Sequence, residues 1–88
     1  MKYSVLFTEK AKRGLKKIDR PAAIMILNWI EKNLEGCENP RLKGKPLVEN
    51  HKGQWRWRIG DYRIIAEIQD DKIIILVLDI GHRREIYK

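Results

Sequence analysis

Cysteine is nearly missing from this chain: Cys37 is the only one in 88 residues, so an internal disulfide and a cysteine-built metal site are both excluded. It reads as an incidental loop residue. Long apolar runs are missing too, and nothing approaches the roughly 20 residues that a membrane-spanning helix needs. The apolar start at Met1–Phe7 is broken by Thr8-Glu9-Lys10 before a signal-peptide core can form. The expected setting is therefore cytoplasmic, with no membrane partner. Acidic residues are in deficit, 12 Asp and Glu against 19 Lys and Arg, which gives a net charge of +7. Such an excess favours anionic partners, either nucleic acid or an acidic protein. Repeats, low-complexity segments and linkers are also lacking, so residues 1–88 read as one small domain with a single core.

Gln54 to Arg63, Gln-Trp-Arg-Trp-Arg-Ile-Gly-Asp-Tyr-Arg, is the stretch around which the rest is organised. Trp55, Trp57 and Ile59 alternate with Arg56 and Arg58, and alternation in a strand separates an apolar face from a cationic one. Gly60-Asp61 has the chemistry of a type II′ hairpin turn. That turn sets Ile59 opposite Tyr62, Arg58 opposite Arg63 and Trp57 opposite Ile64, so Arg56, Arg58 and Arg63 share a face. Like charges directly opposite cost up to about 1 kcal/mol. Either the cluster serves a ligand, or nearby carboxylates neutralise it, with Glu67 one candidate, or the arginine stems cover a half-exposed sheet.

Before the hairpin, Tyr3, Val5 and Phe7 suggest a first strand. Thr8 caps a helix with Ala11, Leu15 and Ile18 as its apolar stripe. Lys10, Lys12, Arg13, Lys16 and Lys17 form its other face, which is solvated or touches phosphate. Asp19-Arg20-Pro21 starts a second helix, antiparallel to the first, with Ala23, Ile26, Leu27, Ile30 and Leu34 recurring at helical spacing and Gly36 as its C′ stop. Cys37 to Gly53 is dense in Pro, Gly and Asn and reads as a long loop, basic through Arg41, Lys43, Lys45, His51 and Lys52.

After the hairpin, Tyr62 to Gln69 is a strand with Ile64, Ala66 and Ile68 on one face and Arg63, Ile65 and Glu67 on the other. Asp70-Asp71 is a tight turn, and Lys72 to Ile80 is a β-branched run expected at the sheet centre, covered on both faces. A basic tail follows from Gly81 to Lys88. The expected architecture is α+β: a strand, a helical hairpin, then a three-stranded antiparallel meander, in one sheet packed by the helices.

Trp55-Arg56-Trp57-Arg58-Ile59-Gly60-Asp61-Tyr62-Arg63, Leu42-Lys43-Gly44 and Gly81-His82-Arg83-Arg84-Glu85-Ile86-Tyr87, in this order of elements, resemble the RelE/ParE superfamily of toxins from type II toxin–antitoxin modules. The resemblance covers essentially the whole chain. It implies a RelE-like fold of the microbial ribonuclease type and, in the RelE branch, cleavage of messenger RNA in the ribosomal A site. A cognate antitoxin is implied as partner. By motif position, Arg56 and Arg58 stand where RelE enzymes carry basic residues on the hairpin strand, Arg63 matches their arginine after the turn, Arg83 a second catalytic arginine, and Tyr87 the functional tyrosine.

The reaction so implied is attack of an RNA 2′-OH on its own 3′-phosphate. It needs a base, an acid and cations for the crowded phosphate charge, with no metal or other cofactor. Arg58, Arg63 and Arg83 suit the middle task through their planar forks. Arg56, Lys43, Lys45, Lys52 and Arg84 are the expected RNA-binding cations. Arginine stays protonated and is a poor base, so His82 or Tyr87 is expected to handle protons. Two other readings share these residues: a ParE-like poison of DNA gyrase, and a non-catalytic nucleic-acid-binding module.

Overall fold

The computed structural model describes residues 1–47 and 53–82. Strand β1 (Ser4–Phe7) leads into helix α1 (Glu9–Lys17) and helix α2 (Arg20–Asn33). A 3-10 turn at Pro40–Leu42 and a short strand β2 (Lys45–Pro46) follow, then β3 (Gln54–Ile59), β4 (Tyr62–Gln69) and β5 (Ile74–His82). The class is the expected α+β.

Each helix starts where a capping side chain allows it. Thr8 Oγ1 accepts from the Ala11 N–H at 3.1 Å, and the Asp19 carboxylate accepts from the Ala22 N–H at 3.2 Å. These caps satisfy amide groups that a helix start otherwise leaves without partners. Gly36, at φ +76°, turns the chain back after α2, and its N–H donates to the Tyr3 carbonyl at 2.8 Å. Helix α2 itself ends at Asn33 with Leu34 as C-cap, so Gly36 stands one position later than C′.

The sheet runs β1-β5-β4-β3-β2. Strand β1 is parallel to β5, and the other pairs are antiparallel. The β3–β4 hairpin has the expected register, with Ile59 opposite Tyr62, Arg58 opposite Arg63 and Trp57 opposite Ile64. Gly60 takes φ +58°. Positive φ at the first central residue alone is the geometry of a type II′ turn.

One sheet face makes the core. Trp57, Ile64 and Ile80 stand in a row across β3, β4 and β5, and Ala66 and Val77 in the next. Ala11, Ile26, Ile30 and Leu34 cover them from the helix side. Burying one such large side chain is worth about 1.5–3 kcal/mol. Gly14 lets α1 lie against β5, since a Cβ at that position would stand 2.1 Å from the Ile80 carbonyl oxygen.

Four expectations change. The segment after Cys37 is not structureless: it holds the 3-10 turn and β2, which makes the sheet five-stranded. The middle strand is β4, not the apolar run that follows it, because β5 takes β1 as its outer neighbour. Strand β5 is also packed fully on one face only: Ile75, Val77 and Ile80 are buried, while Ile74, Leu76 and Leu78 are half-buried. Its bounds shift as well. The turn occupies Asp70–Ile73, with Ile73 held at φ +55°, and the strand continues through Gly81 and His82 instead of releasing a tail at Gly81.

Candidate functional site

Alternation along β3 turns Trp57 and Ile59 into the core and Arg56 and Arg58 to the reverse face. Two rows of the ladder carry the cations. In one, Arg58 faces Arg63 and Arg63 faces Gly81. In the other, Lys45 faces Arg56, Arg56 faces Ile65, and Ile65 faces Asp79. The cationic face is thus set by the same parity that buries the tryptophan.

Exposure separates the arginines. Arg58 is exposed, Arg56 is half-buried, and Arg63 is only 6% exposed. Gly81, opposite Arg63, contributes no side chain to that step. The Arg63 guanidinium presents a planar fork of N–H donors to an anion. The result is a fixed positive group in a low-dielectric setting, where its pull on an anion is stronger than in water.

These side chains line a cleft of about 340 Å³ together with Lys43, Gly44 and Lys45 from the preceding segment, and with Trp29 and Trp57. The segment is held there by several independent contacts. The Trp55 indole N–H donates to the Lys43 carbonyl at 2.7 Å, and the Trp57 indole N–H donates to the Pro40 carbonyl at 3.3 Å. Gly44, at φ +81°, presses on β3 so closely that a Cβ would meet the Arg56 carbonyl oxygen at 2.2 Å. The Lys43 ammonium donates to Asn33 Oδ1 at 2.7 Å, which ties the segment to the end of α2.

Farther back, Arg41 forks onto Asp70 with bonds of 3.0 and 2.8 Å, and the Tyr3 hydroxyl donates to the same carboxylate. The bonds from Arg41 and then Tyr3 hold Asp70 below the usual carboxylate range, and the hydrogen bond to Asp70 pushes the Tyr3 phenol up. This clasp joins β1, the β4–β5 turn and the cleft-lining segment. It was not legible in the sequence, because its members are separated by up to 67 positions. The signal that was available is Leu42-Lys43-Gly44, whose glycine marks a close backbone approach.

Glu67 accepts from Gln69 Nε2 at 2.6 Å. Cys37 packs against the core, where burial pushes its thiol pKa up. His82 faces Tyr62 across the ladder, with the rings edge to face at 5.6 Å, and the Tyr62 hydroxyl donates to Asp19 at 3.1 Å. By register, that is the face opposite to Arg63. The structure therefore gathers Arg56, Arg58, Arg63, Lys43 and Lys45 at one cleft, and His82 is not part of its lining. Lys52, Arg83, Arg84 and Tyr87 lie outside the described residues. Among the described residues, no group of His, Cys, Asp and Glu side chains converges as a metal site, and no helix is long and apolar enough to cross a membrane.

Residues 5–87 match the family described as the ParE toxin of the type II toxin–antitoxin system parDE. The toxin RelG of Mycobacterium tuberculosis is 31% identical over 88 residues, which span 100% of this chain and 99% of that protein. The toxin RelE of the same organism is 29% identical over 86 residues, 98% of this chain and 87% of that protein. Among solved structures, the toxin–antitoxin complex RelBE2 from Mycobacterium tuberculosis contains a chain that superposes with a TM-score of 0.84 at 29% identity, covering 94% of this chain and 100% of that one. The intact Escherichia coli RelBE complex shares the fold, with a TM-score of 0.72 at 18% identity over 91% of this chain and 95% of that one.

Proposed function

The chain belongs to the RelE/ParE superfamily of toxins of type II toxin–antitoxin modules, and from that premise we propose that it is a ribosome-dependent endoribonuclease that cuts messenger RNA in the A site. The observation that carries this reading is the convergence of Arg56, Arg58, Arg63, Lys43 and Lys45 on one cleft. A phosphate whose charge grows as the 2′-OH attacks is met there by preorganised cations, which is the largest single contribution that an enzyme of this kind can make.

In this mechanism Arg58 and Arg63 contact the scissile phosphate, with Arg83 completing the set from the tail. Arg56, Lys43, Lys45, Lys52 and Arg84 hold the neighbouring backbone. A base takes the 2′-OH proton as the O–P bond forms, and an acid protonates the leaving 5′-oxygen as the second O–P bond breaks. The products are a 2′,3′-cyclic phosphate end and a 5′-OH end. His82, turned toward Tyr62, is the weaker candidate for proton transfer, and Tyr87 is the stronger. In the resting module a cognate antitoxin binds the toxin, as its relatives' complexes with antitoxins support. The working site is the cytoplasm.

The test is a purified ribosome programmed with a defined message. Cuts are expected within the A-site codon, retained by His82→Ala, lost in Tyr87→Phe and weakened about 10²–10³-fold in Arg58→Ala. The match of residues 5–87 to the ParE family favours a second reading, a gyrase poison. Inhibition of gyrase supercoiling with no message cleavage would select that reading.

A further inference from the structure

The cations of α1 have no role in the site described above. Lys10, Arg13 and Lys17 line a groove of about 220 Å³, formed with Gly14 against Asp79, Ile80 and Gly81 of β5. Spacings of three and four place Lys10, Arg13 and Lys17 on one stripe of the helix. Like charges at these spacings destabilise a helix. The groove supplies little compensation. Among the described residues Asp79 is its one carboxylate, and it pairs with Lys10 at 3.5 Å. Among the described residues neither Arg13 nor Lys17 has an ion-pair partner.

The register fixes which way this groove opens. Gly81 stands opposite Arg63 and Asp79 opposite Ile65, so both belong to the arginine face of the sheet, while Ile80 between them is buried in the core. The Lys10 ammonium reaches Asp79 on that same face. Gly14, tight against the Ile80 carbonyl, holds α1 beside β5. A band of positive charge thus crosses the strands from Lys45 and Arg56 through Arg58 and Arg63 to Arg13 and Lys17. Between Arg63 and α1 comes Gly81, which adds no side chain of its own. The strands alone span three steps of about 4.8 Å each, and the described residues that line the cleft include none from β5 or α1.

We propose that the α1 groove is a second backbone-phosphate subsite, and that a single strand of RNA runs across the strands from the arginine cleft, over Gly81, to Arg13 and Lys17. This rests on the ribonuclease reading and adds the path of the substrate to it. A single strand fits the band better than a duplex because the cations form a line and not a broad face. Phosphate contacts of this kind position the strand without reading its sequence.

The test uses fully 2′-O-methylated oligouridines, which bind and cannot be cut, three and nine nucleotides long, with binding followed by fluorescence anisotropy over a salt series. The nonamer is expected to bind at least tenfold more tightly than the trimer. In Arg13→Gln/Lys17→Gln that advantage should disappear and the trimer's affinity should stay unchanged. The nonamer's log–log salt slope should fall by about 0.7 for each phosphate that is no longer neutralised. Both substitutions are at exposed positions, and the circular dichroism melt checks that the fold is kept.

Equal affinity for the two lengths overturns the proposal, as does a folded double variant that keeps the nonamer's advantage. A groove that takes an acidic peptide in preference to the nonamer, by competition, also overturns it. If the protein cuts no message on the ribosome but still shows the length effect through Arg13 and Lys17, the track stands and the nuclease reading falls. If the wild type cuts the message but shows no length effect, the nuclease reading stands and the track falls.

Discussion

Arg58 and Arg63 occupy one step of the ladder at opposite extremes of exposure, so their removal should have different signatures. Arg58→Ala removes a solvent-facing cation. Turnover on the ribosome should drop by about 10²–10³-fold, with the melting temperature unchanged. Arg63→Ala removes a buried side chain, so turnover and melting temperature should both fall. Single-turnover assays beside thermal melts separate the two. The hairpin register was legible in the sequence because a two-residue turn and strict alternation leave no freedom. The burial of Arg63 was not, since alternation assigns a face and not a depth, and its neighbour Gly81 comes 18 positions later and meets it only through the β4–β5 pairing.

Asp70 makes a further residue-scale prediction. Its folded pKa is depressed by the bonds from Arg41 and Tyr3. The stabilisation is therefore present above the ordinary carboxylate pKa and is lost as pH falls through the lower, folded value. Asp70→Asn should melt below wild type at neutral pH, and the gap should close as the buffer is taken into the acid range. The effect should be small because the partners are exposed and screened by solvent.

At the scale of elements, two glycines define how closely neighbours approach. Alanine normally gains about 1 kcal/mol over glycine inside a helix. Gly14→Ala should reverse that sign, since its Cβ would meet the Ile80 carbonyl at 2.1 Å and lift α1 from β5. Denaturant midpoints measure this. Gly44→Ala should displace the Lys43–Lys45 segment from β3 and shift the indole N–H resonances of Trp55 and Trp57, which bond to that segment and to the Pro40 carbonyl just before it. The helices were readable from their caps and stripes. Strand β2 was not, because two residues with a proline carry no periodicity and become a strand only by pairing with Trp55 and Arg56. The centre of the sheet was misjudged for a related reason: an apolar run reports burial, whereas order in a sheet depends on where β1 docks.

At the scale of the whole molecule, the chain carries a net charge of +7, and the core packing of one sheet face leaves the alternate residues of β3 and β4 on the other free to be cationic. Composition already pointed to an anionic partner. Family membership narrows the protein to a toxin of a type II module, and the cations of the cleft support the proposed chemistry. The measurement that tests this most directly is primer-extension mapping of a defined message on purified ribosomes. The expected result is a set of A-site cuts by the wild type that leave a 2′,3′-cyclic phosphate, vanish when ribosomes are omitted, and fall about 10²–10³-fold in Arg58→Ala. An intact message in the presence of folded wild-type protein, or cutting by Arg58→Ala at the wild-type rate, would contradict it.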